Sequence, residues 1–319
     1  MARLNLTEAG VRFLREWEND SEYISAHTSG STGTPKEIHL LKEDMRQSAR
    51  ATNSFFKIAR DSIIVSPLSA GYIAGKMMIV RALEAGCRLF SEEPSNHPLR
   101  KNYGPVDLLP IVPSQIDGLL ESQYLPTIRN IIVGGAPMSS EQERKLNVIS
   151  SLNIYSTYGM TETCSHVALR AIGQPLYEAM PGITFDVDSR SCLIVKAPGF
   201  SFGELTTNDI VALTDSTHFC WKGRADNVVI SGGIKIFPEE IEQKVSEHIP
   251  WNFYFIGEPD SKWGERLIMK VEYAGIETEH IERRLRDILS ANLPKFHFPK
   301  EIIFLPEFSR TTNGKIRRV

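Results

Sequence analysis

No apolar run in this chain is long enough to cross a membrane. The most apolar stretch, Tyr72 to Leu83, is short and is broken by Lys76 and Arg81. The N-terminus, Met-Ala-Arg-Leu-Asn-Leu-Thr-Glu-Ala-Gly, lacks the apolar core of a secretion signal, so a soluble, cytoplasmic protein is expected. Cysteine is scarce: Cys87, Cys164, Cys192 and Cys220 lie far apart with no C-x-x-C pair. That spacing argues against a zinc ribbon or a disulfide framework and fits reduced thiols. His27, His39 and His166 likewise show no metal-ligand spacing. A basic face is also missing, because 36 Lys+Arg stand against 39 Asp+Glu with the signs interspersed and a formal net charge of −3. Nucleic acid is therefore not the expected partner, and a small molecule is. There is no internal repeat and no low-complexity segment.

The 319 residues are enough for two domains. Ser62-Ile63-Ile64-Val65, Val106-Asp107-Leu108-Leu109 and Asn130-Ile131-Ile132-Val133 read as buried strands. Between them lie helical patterns: Met45, Ala49, Thr52 and Phe56 share one face, and Ser139-Ser140-Glu141-Gln142 starts a capped helix. This alternation predicts an α/β fold with a mainly parallel sheet. From about Cys164 to Trp221 short β-like pieces gather around Gly and Pro (Val167 to Ala171, Leu193 to Lys196, Ile210 to Leu213, His218 to Trp221), which predicts a β-rich subdomain. After Asp226 the pattern becomes strand 228–231, helix 238–248, strands 253–257 and 267–273, helix 277–292 and strand 301–305, a small α+β unit. The expected division is a large domain over 1–225 and a small one over 226–319.

Residues 28 to 36 read Thr28-Ser29-Gly30-Ser31-Thr32-Gly33-Thr34-Pro35-Lys36. Gly30 and Gly33 allow backbone N–H groups to approach an anion, the hydroxyls add donors, and Lys36 adds a mobile positive charge. A nucleotide polyphosphate is the natural guest. It is not a Walker loop, since Pro35 precedes the lysine and Glu37 follows it. A flexible Ser/Gly linker is the competing explanation, and the Pro-Lys step followed by a helix-like stretch speaks against it.

Three further runs accompany it: Tyr158-Gly159-Met160-Thr161-Glu162-Thr163, the segment from Gly223 to Ile241, and Ser309-Arg310-Thr311-Thr312-Asn313-Gly314-Lys315-Ile316-Arg317-Arg318. In this order the four motifs resemble the core motifs of the adenylate-forming superfamily of acyl-CoA synthetases, adenylation domains and luciferases, and they span nearly the whole chain. The resemblance implies an ATP-dependent acid–CoA ligase that uses Mg2+ and coenzyme A, forming an acyl-adenylate and then a thioester. It implies that Tyr158 packs on adenine, Thr161 contacts the α-phosphate and Glu162 binds Mg2+, with Gly159 and Met160 completing that segment. A single carboxylate suits Mg2+, which takes oxygen ligands and often few from protein. Gly134-Gly135-Ala136-Pro137, which follows a strand directly, would line the adenine and acyl pocket, although a plain strand-to-helix turn explains that run equally well. Asp209 would accept from the ribose hydroxyls and Arg224 would reach the ribose and phosphate. Asp226 would be the hinge, Ser231-Gly232-Gly233 would guide the pantetheine arm of CoA, and Lys315 would bridge acyl carboxylate and α-phosphate.

The pattern departs from the family in three places. Asn208 stands before Asp209 where a glycine is usual, the Pro67-Leu68-Ser69-Ala70 segment lacks the family's histidine, and only 27 residues precede the phosphate loop. Part of the acyl pocket is therefore expected to be absent, simplified or supplied by a partner subunit, and a homo-oligomer is left open. The segment 223–240 looks closest to o-succinylbenzoate–CoA ligases of menaquinone biosynthesis. A dicarboxylic substrate calls for a cation in the acyl pocket, with Lys76 and Arg81 as candidates; the competing explanation is that both snorkel from an apolar helix. Another aryl or fatty acid, loading of a carrier protein, and a non-catalytic nucleotide-binding relic are the alternatives.

Overall fold

Strands that are apolar on both faces set the centre of the fold. Ile63–Ser66, Leu109–Ile111 and Asn130–Val133 are buried at every position, as parallel strands covered by helices require. The computed structural model describes residues 2–27, 36–149, 151–310 and 316–319. Arg3–Asn5, Arg88–Ser91 and Ile63–Ser66 form a three-stranded parallel sheet. An Ile64–Leu108 bridge leads from it to a nine-stranded sheet. There, Leu109–Ile111, Asn130–Val133 and Asn153–Gly159 run parallel. From Asn153–Gly159 onward every pairing is antiparallel, through His166–Ala171, Tyr177–Ala179, His218–Arg224, Gly203–Asp215, Cys192–Ala197 and Thr184–Val187. The strand ending in Tyr158-Gly159 is thus where parallel meets antiparallel.

Three helices flank the N-terminal strands: α1 (Glu8–Glu18), α2 (Lys42–Phe56) and α3 (Ile73–Ala85). The Thr7 hydroxyl caps α1 by accepting the Gly10 N–H, and Phe13 and Trp17 one turn apart are its buried face. In α3 the run Met77-Met78-Ile79-Val80 is buried on all sides, each such side chain contributing about 1.5–3 kcal/mol. A separate apolar cluster joins Val229, Ile236, Ile241, Val245, Phe255, Leu267, Leu285 and Leu289. It lies between helices Pro238–Val245 and Glu279–Asn292 and a five-stranded sheet, in which Glu301–Leu305 runs parallel to Gly264–Glu272. All four cysteines are free thiols. Among the described residues no helix is long and apolar enough to cross a membrane.

The α/β class, the β-rich middle and the small α+β C-terminal part are as read from the sequence. Local differences have physical causes. The stretch after Lys36 is first a strand, Glu37–Leu41, pairing with Tyr23–His27, and only then α2. The strand expected at Val106 to Leu109 lies at Leu109–Ile111, because Val106 and Leu108 make only single bridges to different neighbours. Strand Ile234–Ile236 has no run of its own long enough to announce it and exists through pairing with Val229–Ser231. The Ser139 capping box is present: Ser139 Oγ accepts the Gln142 N–H at 3.2 Å and Gln142 Oε1 accepts the Ser139 N–H at 3.0 Å.

At the end of Gly264–Glu272, the Glu272 carboxylate accepts both Arg310 Nη groups at 2.7 Å, the Phe308 N–H at 2.7 Å and the Asn252 amide. Arg310 foremost, helped by these N–H donors, holds its pKa down to about 2. A depressed carboxylate pKa gives stability that is present above the ordinary range near pH 4.5 and is lost as pH falls toward about 2. Glu272→Gln should therefore lower the denaturant midpoint at about pH 6, with the gap to the unaltered protein narrowing below about pH 4.5 and closing near pH 2. A gap that stays constant with pH would refute this account.

Candidate active site

The C-terminal ends of the parallel strands carry the turns that build the site. After Asn130–Val133 the chain turns through Gly134-Gly135-Ala136-Pro137, with the Gly134 N–H donating to the Ile111 carbonyl at 3.0 Å. A Cβ on Gly134 would lie 2.3 Å from Thr157 Oγ1, and Gly135 has φ 83°, so backbone here runs against the end of the neighbouring strand. That strand delivers Tyr158.

The Tyr158 hydroxyl donates to Asp209 Oδ2 at 2.8 Å, and its ring stands edge-on to Phe219 at 5.1 Å and Tyr177 at 5.9 Å. Trp221 Nε1–H donates to Asp209 Oδ1 at 3.2 Å. Asp209 is 9% exposed, and each of its oxygens, having accepted one bond, keeps capacity for another. Burial first, then Asp209, pushes the Tyr158 phenol well above its ordinary pKa, so it remains a donor. Asp209 pairs with Arg224 across adjacent strands, and Arg224 Nη2 meets Asp226 Oδ2 at 2.7 Å. Burial pulls the Arg224 guanidinium down, yet Asp226 and Asp209 carry it above its ordinary value. The Asn208 side chain, in the place of the usual glycine, donates to Asp226 at 3.4 Å.

From Gly159 the chain folds back tightly. Thr161–Thr163 is one turn of 3-10 helix, the Cys164 N–H donates to the Thr161 carbonyl at 3.0 Å, and Cys164 has φ 62°. Thr163 Oγ1 accepts the Met160 N–H at 3.0 Å and donates within the same turn. Thr161 is buried, while Glu162 is half-buried and makes no ion pair or hydrogen bond among the described residues. A carboxylate with no further acidic, His or Cys ligands grouped around it among the described residues fits a cation whose other ligands come from phosphates and water.

Ser231-Gly232-Gly233 forms the turn between Val229–Ser231 and Ile234–Ile236, with φ 58° and 82° at the glycines. Both glycines are demanded by a two-residue hairpin loop, whatever else they do. The Gly232 N–H donates to the Trp263 carbonyl at 2.8 Å. Sequence reading passed over Trp263, which is 40% exposed beside this turn with Lys262 and Lys300 over its ring at 4.9 and 5.3 Å. Of the other expected residues, Thr28, Ser29, Gly30, Ser31, Thr32, Gly33 and Lys315 lie outside the described residues, and Lys36 directly precedes strand Glu37–Leu41. Lys76 points to α1, pairing with Glu16 at 3.1 Å and the Ser25 carbonyl at 2.8 Å; Arg81 points instead to Ser165.

Residues 11–196 match the family model for AMP-binding enzymes, and residues 240–315 that for the AMP-binding enzyme C-terminal domain. The chain belongs to the AMP-binding enzyme family. It is 26% identical to a 2-succinylbenzoate–CoA ligase from Enterococcus faecalis, over 94% of this chain and 69% of that one. An acyl-CoA synthetase (AMP-forming)/AMP-acid ligase II-like protein from Dyadobacter fermentans is 33% identical, with 97% of this chain and 91% of that chain covered and a TM-score of 0.64. The o-succinylbenzoate CoA synthetase of Bacillus subtilis, solved with its acyl-adenylate intermediate, shares the fold at a TM-score of 0.78 and 20% identity, over 92% and 67% of the two chains.

A Cβ at Gly159 would lie 2.4 Å from the Ser165 carbonyl oxygen and 2.5 Å from His166 Cα, both backbone atoms. Gly159→Ala should therefore cost about 1–3 kcal/mol in unfolding free energy, the usual range for overpacking. Denaturant unfolding is the check, and a neutral result would mean that the fold-back after Gly159 is looser than described.

Proposed function

We propose that this enzyme is an AMP-forming acid–CoA ligase acting on 2-succinylbenzoate in two half-reactions. A carboxylate oxygen of the acid attacks the α-phosphorus of ATP, the new P–O bond forms as the bond to pyrophosphate breaks, and an acyl-adenylate results. The thiol of CoA then attacks the acyl carbon and loses its proton, the C–S bond forms, the acyl C–O bond breaks, and AMP departs with the oxygen and its electron pair. The observation that carries this reading is Asp209, in strand Gly203–Asp215, oriented by Trp221 and by Tyr158 from the end of strand Asn153–Gly159, with acceptor capacity to spare. That is a suitable receptor for a ribose diol, and the Tyr158 ring beside it offers an apolar face to a base.

In this reading the Gly134–Pro137 turn borders the base and acyl group, and Arg224 reaches the ribose and phosphate. Thr161 contacts the α-phosphate, and residues 28–36 with Lys36 hold the β- and γ-phosphates. Glu162 would hold the Mg2+ that accompanies ATP, an ion that neutralises phosphate charge. Such positioning and charge neutralisation are the main demands of phosphoryl transfer. Lys315 bridges carboxylate and α-phosphate during adenylation. We place the division between the two units at Asp226, about which residues 226–319 rotate between the half-reactions. Polar contacts that can be broken and remade link the two parts, among them Lys222–Glu240 at 3.4 Å and Ser140 Oγ to the Gln243 carbonyl at 2.7 Å. The Ser231–Gly233 turn admits the pantetheine arm, and Trp263 with its lysines offers a stacking face and positive charge for the nucleotide end of CoA. The choice of 2-succinylbenzoate rests on the named relative at 26% identity.

The test is mass-spectrometric detection of acyl-CoA after incubation with Mg·ATP, CoA and either 2-succinylbenzoate, benzoate or medium-chain fatty acids. Selective 2-succinylbenzoyl-CoA is expected; a thioester of another acid would retain the ligase and reject the substrate, and ATP–pyrophosphate exchange without a thioester would point to a different acceptor. Lys315→Ala should reduce adenylation on the order of 10²-fold or more while thioester formation from presynthesised acyl-adenylate continues. Equal loss of both would reject the rotation. Trp263→Ala should raise KM for CoA about tenfold and leave pyrophosphate exchange intact; an unchanged KM would remove Trp263 from the CoA site.

A further inference from the structure

Arg310 and Ile316 face each other in an antiparallel bridge, and the Arg317 N–H donates to the Ser309 carbonyl at 2.8 Å. The chain leaves this paired base after Arg310 and rejoins it at Ile316. Lys315, outside the described residues, is one peptide from Ile316, so its Cα is about 3.8 Å from that of a paired residue. Two arginine–carboxylate forks hold the two sides of the base. On one side Arg310 meets Glu272 at the end of strand Gly264–Glu272. On the other, Arg318 Nη1 and Nη2 each donate to Glu242 at 2.6 Å, and Nη1 also reaches the Phe255 carbonyl at 3.2 Å. The Arg318 guanidinium lies over the Tyr254 ring at 5.7 Å, and Glu242 accepts the Phe255 N–H at 2.8 Å as well.

The two forks differ in what they reach. Glu272 belongs to a strand inside the small unit, whereas Glu242 is on helix Pro238–Val245, which meets the large unit. From that helix Glu239 accepts the Asn227 amide next to Asp226 and lies against Gly223, where a Cβ would come within 2.6 Å of Glu239 Oε2. Glu240 pairs with Lys222, and the Gln243 carbonyl accepts Ser140 Oγ. Arg318 Nη2 stands 3.9 Å from Glu239. Contacts therefore lead from the proposed hinge, through one turn of helix, to the residue three places after Lys315. The side chains of Arg318 and Glu242 are only 23% and 17% exposed. A pair so covered adds little net stability over apolar side chains of the same volume, and what a fork adds is a fixed direction.

We propose that Arg318, gripped by Glu242, is a positioning residue for adenylation: it fixes the segment behind Lys315 against the helix that meets the large unit. Arg318 itself touches no substrate. This rests on the ligase reading above and deepens it, by naming what aims the lysine assigned to the first half-reaction. A displacement of about 1 Å in a catalytic group can lower a rate on the order of 10²-fold, so a lysine on a long flexible stem depends on where its backbone is held. Thioester formation does not use Lys315 in that reading and is insensitive to the anchor.

The test measures the two half-reactions separately in the full chain: ATP–pyrophosphate exchange with 2-succinylbenzoate for the first, and thioester formation from presynthesised acyl-adenylate for the second. Arg318→Met should lower kcat for exchange roughly 10- to 100-fold with KM for ATP changed less than about threefold, and thioester formation should change less than about threefold. Arg318→Lys, which keeps the charge without the fork, should fall between. Equal losses in both half-reactions would mean that Arg318 only braces the small unit, and unchanged exchange would equally overturn the proposal. Should Arg318→Met fail to fold, the same split is read from Arg318→Lys. Should the unaltered protein give no exchange, the ligase reading fails, and tryptic cleavage after Lys315 decides the anchor by itself. Cleavage there that Arg318→Met speeds about tenfold more than cleavage elsewhere supports it; cleavage that speeds equally everywhere, or nowhere, overturns it.

Discussion

The hydrogen bond from Tyr158 to Asp209 is the tie on which the candidate site depends. Tyr158 ends the last parallel strand, Asp209 lies in a strand of the antiparallel half, and 51 residues of chain separate them. A phenol that burial keeps protonated has an O–H to donate, and a nearly buried carboxylate is tolerated only when it accepts. Each group thus needs the other, and the bond ties the two halves of the nine-stranded sheet together at the place proposed for the nucleoside. Phe219, stacked on Tyr177 at 5.3 Å and edge-on to Tyr158, closes the apolar side of the same junction.

Several buried acids elsewhere follow the same rule. The Asp44 carboxylate at the start of α2 accepts the Ser201 N–H at 3.1 Å, and Glu143 receives both Arg170 Nη groups, so buried acids are matched by donors from distant segments. In the C-terminal part Arg318 makes a bidentate pair with Glu242 at 2.6 Å, which also accepts the Phe255 N–H. Burial pushes Glu242 up, to about 7, against the pull of Arg318, so this pair sits close to the balance between desolvation and attraction. Among the described residues Asn53 Oδ1, Ser66 Oγ, Arg81 Nε, Glu239 Oε2 and His297 Nδ1 break the pattern. Sites that break local rules of satisfaction are where a ligand is expected to complete the structure.

Much of the architecture was legible because hydrophobic period and punctuation are local. The strands at Asn130 and Glu301, the Ser139 capping box and the proline-started helix at Pro238 lie where their residues predict. What escaped was decided by pairing at a distance. Ile234–Ile236 is a strand only because Val229–Ser231 lies beside it, and Glu37–Leu41 only because Tyr23–His27 does. The amphipathic helix α1 could have been found from Thr7 as cap and from Phe13 and Trp17 at a four-residue spacing. Trp263 could not, since an isolated tryptophan between Lys262 and Gly264 carries no periodic signal.

The motif residues themselves, their order and the chemistry that a glycine-rich run, a Tyr-Gly-Met-Thr-Glu-Thr turn and a Gly-Lys step can support were determined by sequence alone. Those are statements about which groups are present, and covalent order is enough to make them. Tertiary structure decided which groups meet. Lys76 and Arg81, five residues apart on α3 and equivalent as charges, part company because one faces Glu16 on α1 and the other faces Ser165 after the switch strand. A carboxylate partner neutralises the first, and burial leaves the second without a hydrogen-bond partner at Nε.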